Sequence, residues 1–310
     1  MERLMGPREI LESYAFMMAA GLILGLAAGG FPALTKEISM ISLAFVMTLS
    51  LSTVGLGEAT GRDHYKHAAY AMLLNYGILT PVILILGMAF SEELWPGWVL
   101  MAAAPSAISV VPFSTIMGGS TTKALFSTAV NYVAALALMP AITLALIGSA
   151  VSAWSLLSSL LILIVLPMAL SRLVKRVNIE KSNNSILMNI GFAILIFAVA
   201  GSNRDAFFGQ PATVLAISLA CVARTFGSGL ATEFTLRRAS VDRGNRIPYV
   251  LFSSYKNLGL TATLAIALFE PVVAVPATIC IVFEVVWVIF LTRWYPGVVE
   301  PTLGRDITST

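Results

Sequence analysis

Charged side chains are scarce in this 310-residue sequence. Asp, Glu, Lys and Arg together make up 11% of it, against about 25% in ordinary soluble domains. Apolar residues reach 58%, and the mean hydropathy is +0.88. A soluble fold of this size would lack the charge to cover its surface, whereas a protein whose outer face meets lipid needs little. The composition therefore indicates an integral membrane protein and excludes a disordered chain, a coiled coil and a secreted disulfide scaffold.

Cysteine and histidine are almost absent. Cys221 and Cys280 lie inside apolar runs, so neither a disulfide framework nor a thiolate metal cluster is expected. The two histidines, His64 and His67, lie together in one charged loop, which argues against a histidine metal site or haem ligation within the membrane. We therefore expect no metal and no cofactor.

Missing motifs narrow the functional class. The chain has no GxxxxGK[ST] motif, which argues against a self-contained ATP-driven pump. It has no metal-binding motif, no paired aspartates within a span and no Ser/His constellation, so we do not expect an enzyme. The net charge of +3 is too small to suggest nucleic-acid binding. The expected partner is the lipid bilayer.

Long uncharged runs predict ten membrane crossings. One crossing takes about 20 helical residues. The run over 124–171 is long enough for two crossings and divides near Gly148, Ser149 and Ser152. The segment from Ile247 to Trp294 holds two more, separated at 269–271. The uncharged runs are 13–35, 38–57, 67–91, 94–122, 124–171, 182–203 and 206–223.

The distribution of basic residues agrees with this count. If the N-terminus, the even-numbered connections and the C-terminus share one side, that side holds fifteen of the nineteen lysines and arginines. The other side holds only Lys36 and Arg204, while Arg224 and Lys256 fall within spans. The positive-inside rule then predicts a multi-pass protein of the cell membrane with both termini in the cytoplasm.

Ten crossings divide into two halves of five. An odd number in each half turns the second half upside down, which is the topology of inverted-repeat transporters. We therefore predict a single polytopic all-α domain over 1–310. Its first repeat spans about 10–148 and its second about 150–296.

The fourth span of each half is predicted to be discontinuous. Span 4 carries Pro105 and Pro112, each of which removes a backbone donor and obstructs the helix. Span 9 carries a polar stretch, 253–259, in the middle of its crossing. Irregular backbone at membrane depth requires protein or water around it. Two such breaks predict a crossed pair of broken helices, while prolines that merely kink a structural helix are the alternative for span 4.

Lys256 is the most informative charge. It follows Arg246 by ten residues, which puts it about 15 Å deep. Charges at such depth are costly and persist when they face a cavity or pair with each other. Together with free amides at a half-helix N-terminus, Lys256 suits a carboxylate or another anion. The alternative is a structural ion pair between Lys256 and Glu284.

Other polar residues within spans are candidate cavity groups. Arg224 either lines the cavity or pairs with Glu233, and the remaining polar groups either line the cavity or bind neighbouring helices. The candidate substrate or coupling residues are Lys256, Asn257, Gly259, Ser253, Ser254, Glu284, Arg224, Ser106, Ser109, Thr128, Asn131 and Asn75.

Residues 256–276, KNLGLTATLAIALFEPVVAVP, resemble the span-9 motif of the bile acid:sodium symporter family. Pro105 with its small polar neighbours, followed by Gly118 and Gly119, is similar to the span-4 region of that family. The resemblance implies a panel domain of spans 1, 2, 6 and 7 and a core domain of spans 3–5 and 8–10. It implies a substrate site beside the crossing of spans 4 and 9.

The chain departs from the family at the implied sodium ligands. Phe252 stands where the family typically has a glutamate, Lys256 replaces a glutamine, and Val110 and Val111 replace a Ser-Asn pair. Only Thr128 is retained. Hard cations require oxygen ligands, so the resemblance implies a sodium-independent member in which Lys256 takes the place of sodium.

We therefore predict a secondary transporter of a small organic anion that works by alternating access. Proton coupling, uniport and exchange stay open, and sodium is the less favoured partner. The alternatives are a sodium-coupled organic anion symporter, an anion channel and a non-transporting membrane receptor on the same scaffold.

Overall fold

A computed structural model describes residues 6–52, 61–148, 152–177 and 179–296 of the chain. Every regular element within these ranges is a helix. The predicted end of span 2 at Gly57, the division at Ser149, and Arg3 and Arg305 lie outside the described residues. The helices are α1 (Pro7–Glu12), α2 (Tyr14–Ala28), α3 (Thr35–Ser52), α4 (Arg62–Gly87), α5 (Trp95–Ala103), α6 (Val110–Ile116), α7 (Thr121–Ile147), α8 (Ala153–Val177), α9 (Lys181–Ser202), α10 (Arg204–Gly209), α11 (Pro211–Arg238), α12 (Arg243–Phe252), α13 (Leu258–Leu268) and α14 (Pro271–Trp294).

Six helices of the described ranges are long and apolar enough to cross a membrane: α4, α7, α8, α9, α11 and α14. Helices α2 and α13 are apolar but shorter, and α3 opens with Lys36 and Glu37 in its first turn. Large apolar side chains such as Ile41 and Ile85 are exposed, as expected of helices that face lipid.

Local sequence signals set several helix ends. The Ser152 hydroxyl caps α8 by accepting from the Ser155 N–H, at 3.4 Å. The Asp242 carboxylate caps α12 in the same way through Asn245, at 3.0 Å. Such side chains satisfy N–H groups that the first turn of a helix leaves free.

Two groups of helices pack side by side. Helix α9 packs against α2 and α3, and α8 also packs against α3. Helix α4 packs against α7, α5 packs against α7 and α13, and α11 packs against α14. The two groups meet where α13 contacts α3 and α9.

Three of the long helices contain a π-helical segment: Leu73–Leu79 in α4, Leu161–Val165 in α8 and Ala223–Gly227 in α11. Such segments shift the backbone hydrogen bonds by one residue and are frequent at functional sites. Two of the three carry candidate site residues, Asn75 and Arg224.

Candidate functional site

Two interruptions of the helical backbone meet inside the protein. One separates α5 from α6 and the other separates α12 from α13. The Asn257 N–H of the second donates to the Pro105 carbonyl of the first, at 2.8 Å. Pro105 lies within its interruption, whereas Pro112 lies in the first turn of α6 and does not break a helix. A first turn accepts proline because the N–H that proline lacks would have no acceptor there.

The Lys256 side chain is fully buried at this meeting point. Its ammonium lies within hydrogen-bond distance of five oxygen atoms, which we call the ammonium cage. They are Asn75 O at 3.1 Å, Asn75 Oδ1 at 3.0 Å, Thr80 Oγ1 at 3.0 Å, Ala102 O at 2.9 Å and Ala104 O at 2.9 Å. An ammonium group has three hydrogens, so several of these oxygens share them.

The backbone explains why these oxygens are available. Ala102 and Ala104 lie where α5 ends, and the last carbonyls of a helix have no acceptor role within it. The Asn75 amide donates to the carbonyls of Phe252 and Tyr255, both at 3.2 Å, which turns its Oδ1 toward Lys256. The cage therefore surrounds the ammonium with neutral oxygen lone pairs.

Glu284 does not pair with the Lys256 ammonium, so the alternative of a structural ion pair between them is wrong. Its carboxylate forms a salt bridge with Arg224, which is fully buried, and accepts the Lys256 backbone N–H at 3.2 Å. Arg224 also donates to Cys280 Sγ at 2.9 Å and to the Ser254 carbonyl at 3.3 Å. A buried arginine needs such a partner because a lone charge there would be very costly.

The alternative pairing of Arg224 with Glu233 is also wrong. Glu233 accepts from Arg246 Nε at 2.9 Å and from the Tyr295 hydroxyl. Sequence spacing alone did not decide between these partners, because several charges lie within reach of each other in the folded chain.

A small cavity borders the crossing of the two interruptions. Its volume is about 40 Å³, which is room for a few water molecules. We call it the crossing cavity. It is lined by Tyr14, Met18, Leu43, Met47, Ala107, Ile108, Ser109, Phe192, Leu195, Ile196, Lys256, Asn257, Leu258, Gly259, Ile281 and Glu284.

Asn257 and Gly259 shape the floor of the crossing cavity. The Asn257 side chain caps α13 by accepting from Leu260 N at 2.9 Å, and it donates to the Tyr132 hydroxyl at 2.6 Å. A Cβ atom on Gly259 would lie 3.2 Å from the Leu195 side chain. The glycine therefore lets α9 approach α13 closely.

The sequence matches a known protein family. The sequence-family model described as "Sodium Bile acid symporter family" matches residues 37–210, more than half of the chain. The chain belongs to this family. A search of curated proteins found no match. Membership in the sodium bile acid symporter family makes the chain a multi-pass membrane protein of a transporter family.

Three positions that the family resemblance assigns to sodium binding carry apolar residues here: Phe252, Val110 and Val111. Phe252 and Val110 are buried and have no side-chain oxygen. Thr128 is buried, and its hydroxyl has no hydrogen-bond partner among the described residues. The oxygens of the ammonium cage are already taken by Lys256. In the described ranges, no group of three or more His, Cys, Asp and Glu side chains is placed to hold a metal.

The remaining candidates contribute less to the crossing cavity. Ser253 and Ser254 are buried and donate to Val250 O, at 2.9 and 2.6 Å. Asn131 donates to Ser127 O at 3.0 Å. The Ser106 hydroxyl is buried without a partner in the described part of the chain. None of these four lines the crossing cavity, whereas Ser109 does.

Sequence reasoning missed three cage residues, Thr80, Ala102 and Ala104. Thr80 follows Asn75 by five residues, a spacing that an ordinary α-helix would put on different faces. The π-helical segment Leu73–Leu79 brings the two together, and the sequence gave no signal of it. Ala102 and Ala104 contribute only carbonyl oxygens, which leave no mark on residue type. Their only signal was the break that Pro105 introduces next to them.

Proposed function

We propose that this chain is a sodium-independent secondary transporter of a small organic anion, in which the Lys256 ammonium takes the place of a coupling sodium ion. The observation that carries the proposal is the ammonium cage. Five neutral oxygens around one point form the kind of ligand set that hard cations prefer. Here that point is occupied by a cation that belongs to the protein.

The proposal includes ten crossings in two inverted repeats of five, over about 10–148 and 150–296. Contacts between loops that this arrangement assigns to the same side of the membrane support the arrangement. Lys123 contacts Asn245 at 2.9 Å, and Arg243 contacts the Met117 carbonyl at 3.2 Å. All four residues lie at connections assigned to the same side, as the count of ten crossings requires. The proposal identifies that side as the cytoplasm, with both termini there and the cell membrane as location.

The proposal also divides the helices into two domains. The panel consists of α2, α3, α8 and α9, and the core consists of the other long or broken helices. The packing of α9 on α2 and α3, and of α4 and α5 on α7, supports this division. The crossing cavity is lined by α2, α3 and α9 on one side and by the two interruptions, α13 and α14 on the other. Separation of panel from core would therefore enlarge this cavity, which at about 40 Å³ is too small for an organic anion.

The charges beside the crossing cavity favour an anion. With Lys256 and Arg224 protonated and Glu284 ionised, two positive charges stand against one negative charge. The N-terminus of α13 lies at the cavity through Asn257 and Gly259, and helix N-termini attract anions. The substrate class that fits these features is a small carboxylate or a related organic anion.

The test is uptake into proteoliposomes. A thermal-shift screen of keto acids, hydroxy acids and amphipathic steroid carboxylates first identifies a ligand that stabilises the parent protein but not Lys256→Gln. Uptake of that labelled ligand is then measured with external sodium, potassium or choline. We expect saturable uptake that is equal in all three salts.

Other outcomes identify the alternatives. Strict sodium dependence would overturn the proposal in favour of a sodium-coupled symporter. Large unitary currents would identify an anion channel, and saturable binding without uptake a receptor. A pH gradient applied in the same vesicles distinguishes proton coupling, which would stimulate uptake, from uniport or exchange.

A further inference from the structure

A second cavity lies where the ends of three helices meet. Its volume is about 370 Å³. It borders the start of α3, the start of α8 and the end of α13 and shares no residue with the crossing cavity. We call it the serine cavity. It is lined by Lys36, Ser152, Ser155, Ser158, Ser159, Ala267 and Leu268.

Lys36 supplies a positive charge to the serine cavity. Its side chain is exposed, and its ammonium donates to the Ala267 carbonyl in the last turn of α13, at 2.8 Å. One contact uses one of the three ammonium hydrogens. The other two are available to a ligand. No acidic side chain among the described residues lines the cavity, although Glu37 and Glu270 are near in sequence.

Hydroxyl and backbone donors surround this charge. Ser159 is 8% exposed, lines the cavity and makes no hydrogen bond to any described residue. Its hydroxyl oxygen is not fully enclosed by protein, so it is accessible to a ligand in the cavity. Ser152 caps α8, a 25-residue helix whose N-terminus also faces this region. Its first-turn N–H groups and its dipole favour an anion.

We propose that the serine cavity binds the oxyanion group, carboxylate or phosphate, of a water-soluble anion. Lys36 would contribute charge-assisted hydrogen bonds, and the Ser155 and Ser159 hydroxyls would donate to the remaining oxygens. The inference goes beyond the proposed function, since binding here requires neither transport nor Lys256. Lys36 is one of two basic residues predicted on the non-cytoplasmic side, so the site would collect anions on that side of the membrane.

Equilibrium dialysis of the purified full chain in an uncharged detergent tests the proposal, with labelled benzoate and labelled inorganic phosphate as probes. We expect saturable binding of one probe per chain. Lys36→Gln should weaken binding about tenfold or more, as loss of a charged hydrogen-bond donor implies. Ser159→Ala should weaken it severalfold, and Lys36→Arg should restore it because the charge returns.

Matched variants identify the site. Lys66→Gln removes an exposed charge at the start of α4 and should leave binding unchanged. Unchanged binding in Lys36→Gln, or loss of binding in Lys256→Met instead, would overturn the proposal. So would binding confined to micelles that contain phosphatidylglycerol, because the ligand would then be a lipid headgroup. Size-exclusion profiles of all variants establish that each is folded.

Discussion

At the scale of the residue, the ammonium of Lys256 owes its stability to the oxygens around it. Burial of a charge is costly because water is lost, and hydrogen bonds to the charged group offset that cost. The cage supplies five oxygens, three of them backbone carbonyls. Without the ammonium, these lone pairs would face one another with no donor among them except the Thr80 hydroxyl, which already bonds Ala102 O at 2.6 Å.

We therefore predict that Lys256→Ala turns the cage into a site for a free sodium ion. Sodium chloride should raise the melting temperature of this variant above its value in choline chloride. Binding at a hundredfold excess over Kd would contribute about 2.7 kcal/mol. The parent protein should melt at the same temperature in both salts, because Lys256 already fills the site. Thermal unfolding followed by tryptophan fluorescence measures the difference.

The matched control is Lys66→Ala, which removes an equal charge from an exposed position. It should show no sodium effect. Equal melting temperatures of Lys256→Ala in sodium and choline would mean that the cage oxygens rearrange instead of binding a cation.

At the scale of the element, the two breaks were predictable and their contacts were not. Pro105 and the polar residues after Phe252 carry strong local signals, and both interruptions occur there. Pro112 was also predicted to break span 4, but it lies in the first turn of α6. The spacing of two prolines does not reveal which one interrupts a helix and which one lies at a helix start. The partners of Lys256 and Glu284 depend on how α4, α11 and α14 pack together, and such contacts have no local sequence signal.

Packing between α2 and α9 depends on the absence of a side chain at Gly25. A Cβ atom there would lie 2.7 Å from the Phe197 carbonyl oxygen and 3.0 Å from Phe197 Cα. Both are backbone atoms, so the helices themselves would have to separate. We predict that Gly25→Ala lowers the free energy of unfolding by about 1–3 kcal/mol, the usual cost of overpacking. Fluorescence-detected size-exclusion after heating measures the loss.

Gly227→Ala is the control for this prediction. Gly227 lies in the π-helical segment of α11, and a Cβ atom there would meet nothing within 4 Å. Alanine favours helix by about 1 kcal/mol over glycine. This variant should therefore be as stable as the parent or more so, and equal losses in both variants would argue against close packing as the cause.

At the scale of the whole molecule, the arrangement in the membrane can be tested by labelling. The native Cys221 and Cys280 are fully buried, so they give little background. Ser155 and Asn183 are exposed at the starts of α8 and α9. We predict that a membrane-impermeant maleimide labels Ser155→Cys in intact cells but labels Asn183→Cys only after permeabilisation.

The reverse labelling pattern would mean an inverted orientation, with both termini outside. Labelling of both positions in intact cells would argue against a crossing through α8. The unmodified chain, treated in parallel, should stay unlabelled in either condition.

The attachment of Lys256 to the polypeptide has a thermodynamic consequence. The work of concentrating a solute comes from a second species that moves down its own gradient. A nitrogen joined to the backbone returns to its starting point in every cycle, and while it keeps its protons it delivers no such work. Where no counter-anion is exchanged, cargo carried by this protein would then approach the same electrochemical potential on both sides, and its steady-state ratio would report the membrane voltage alone.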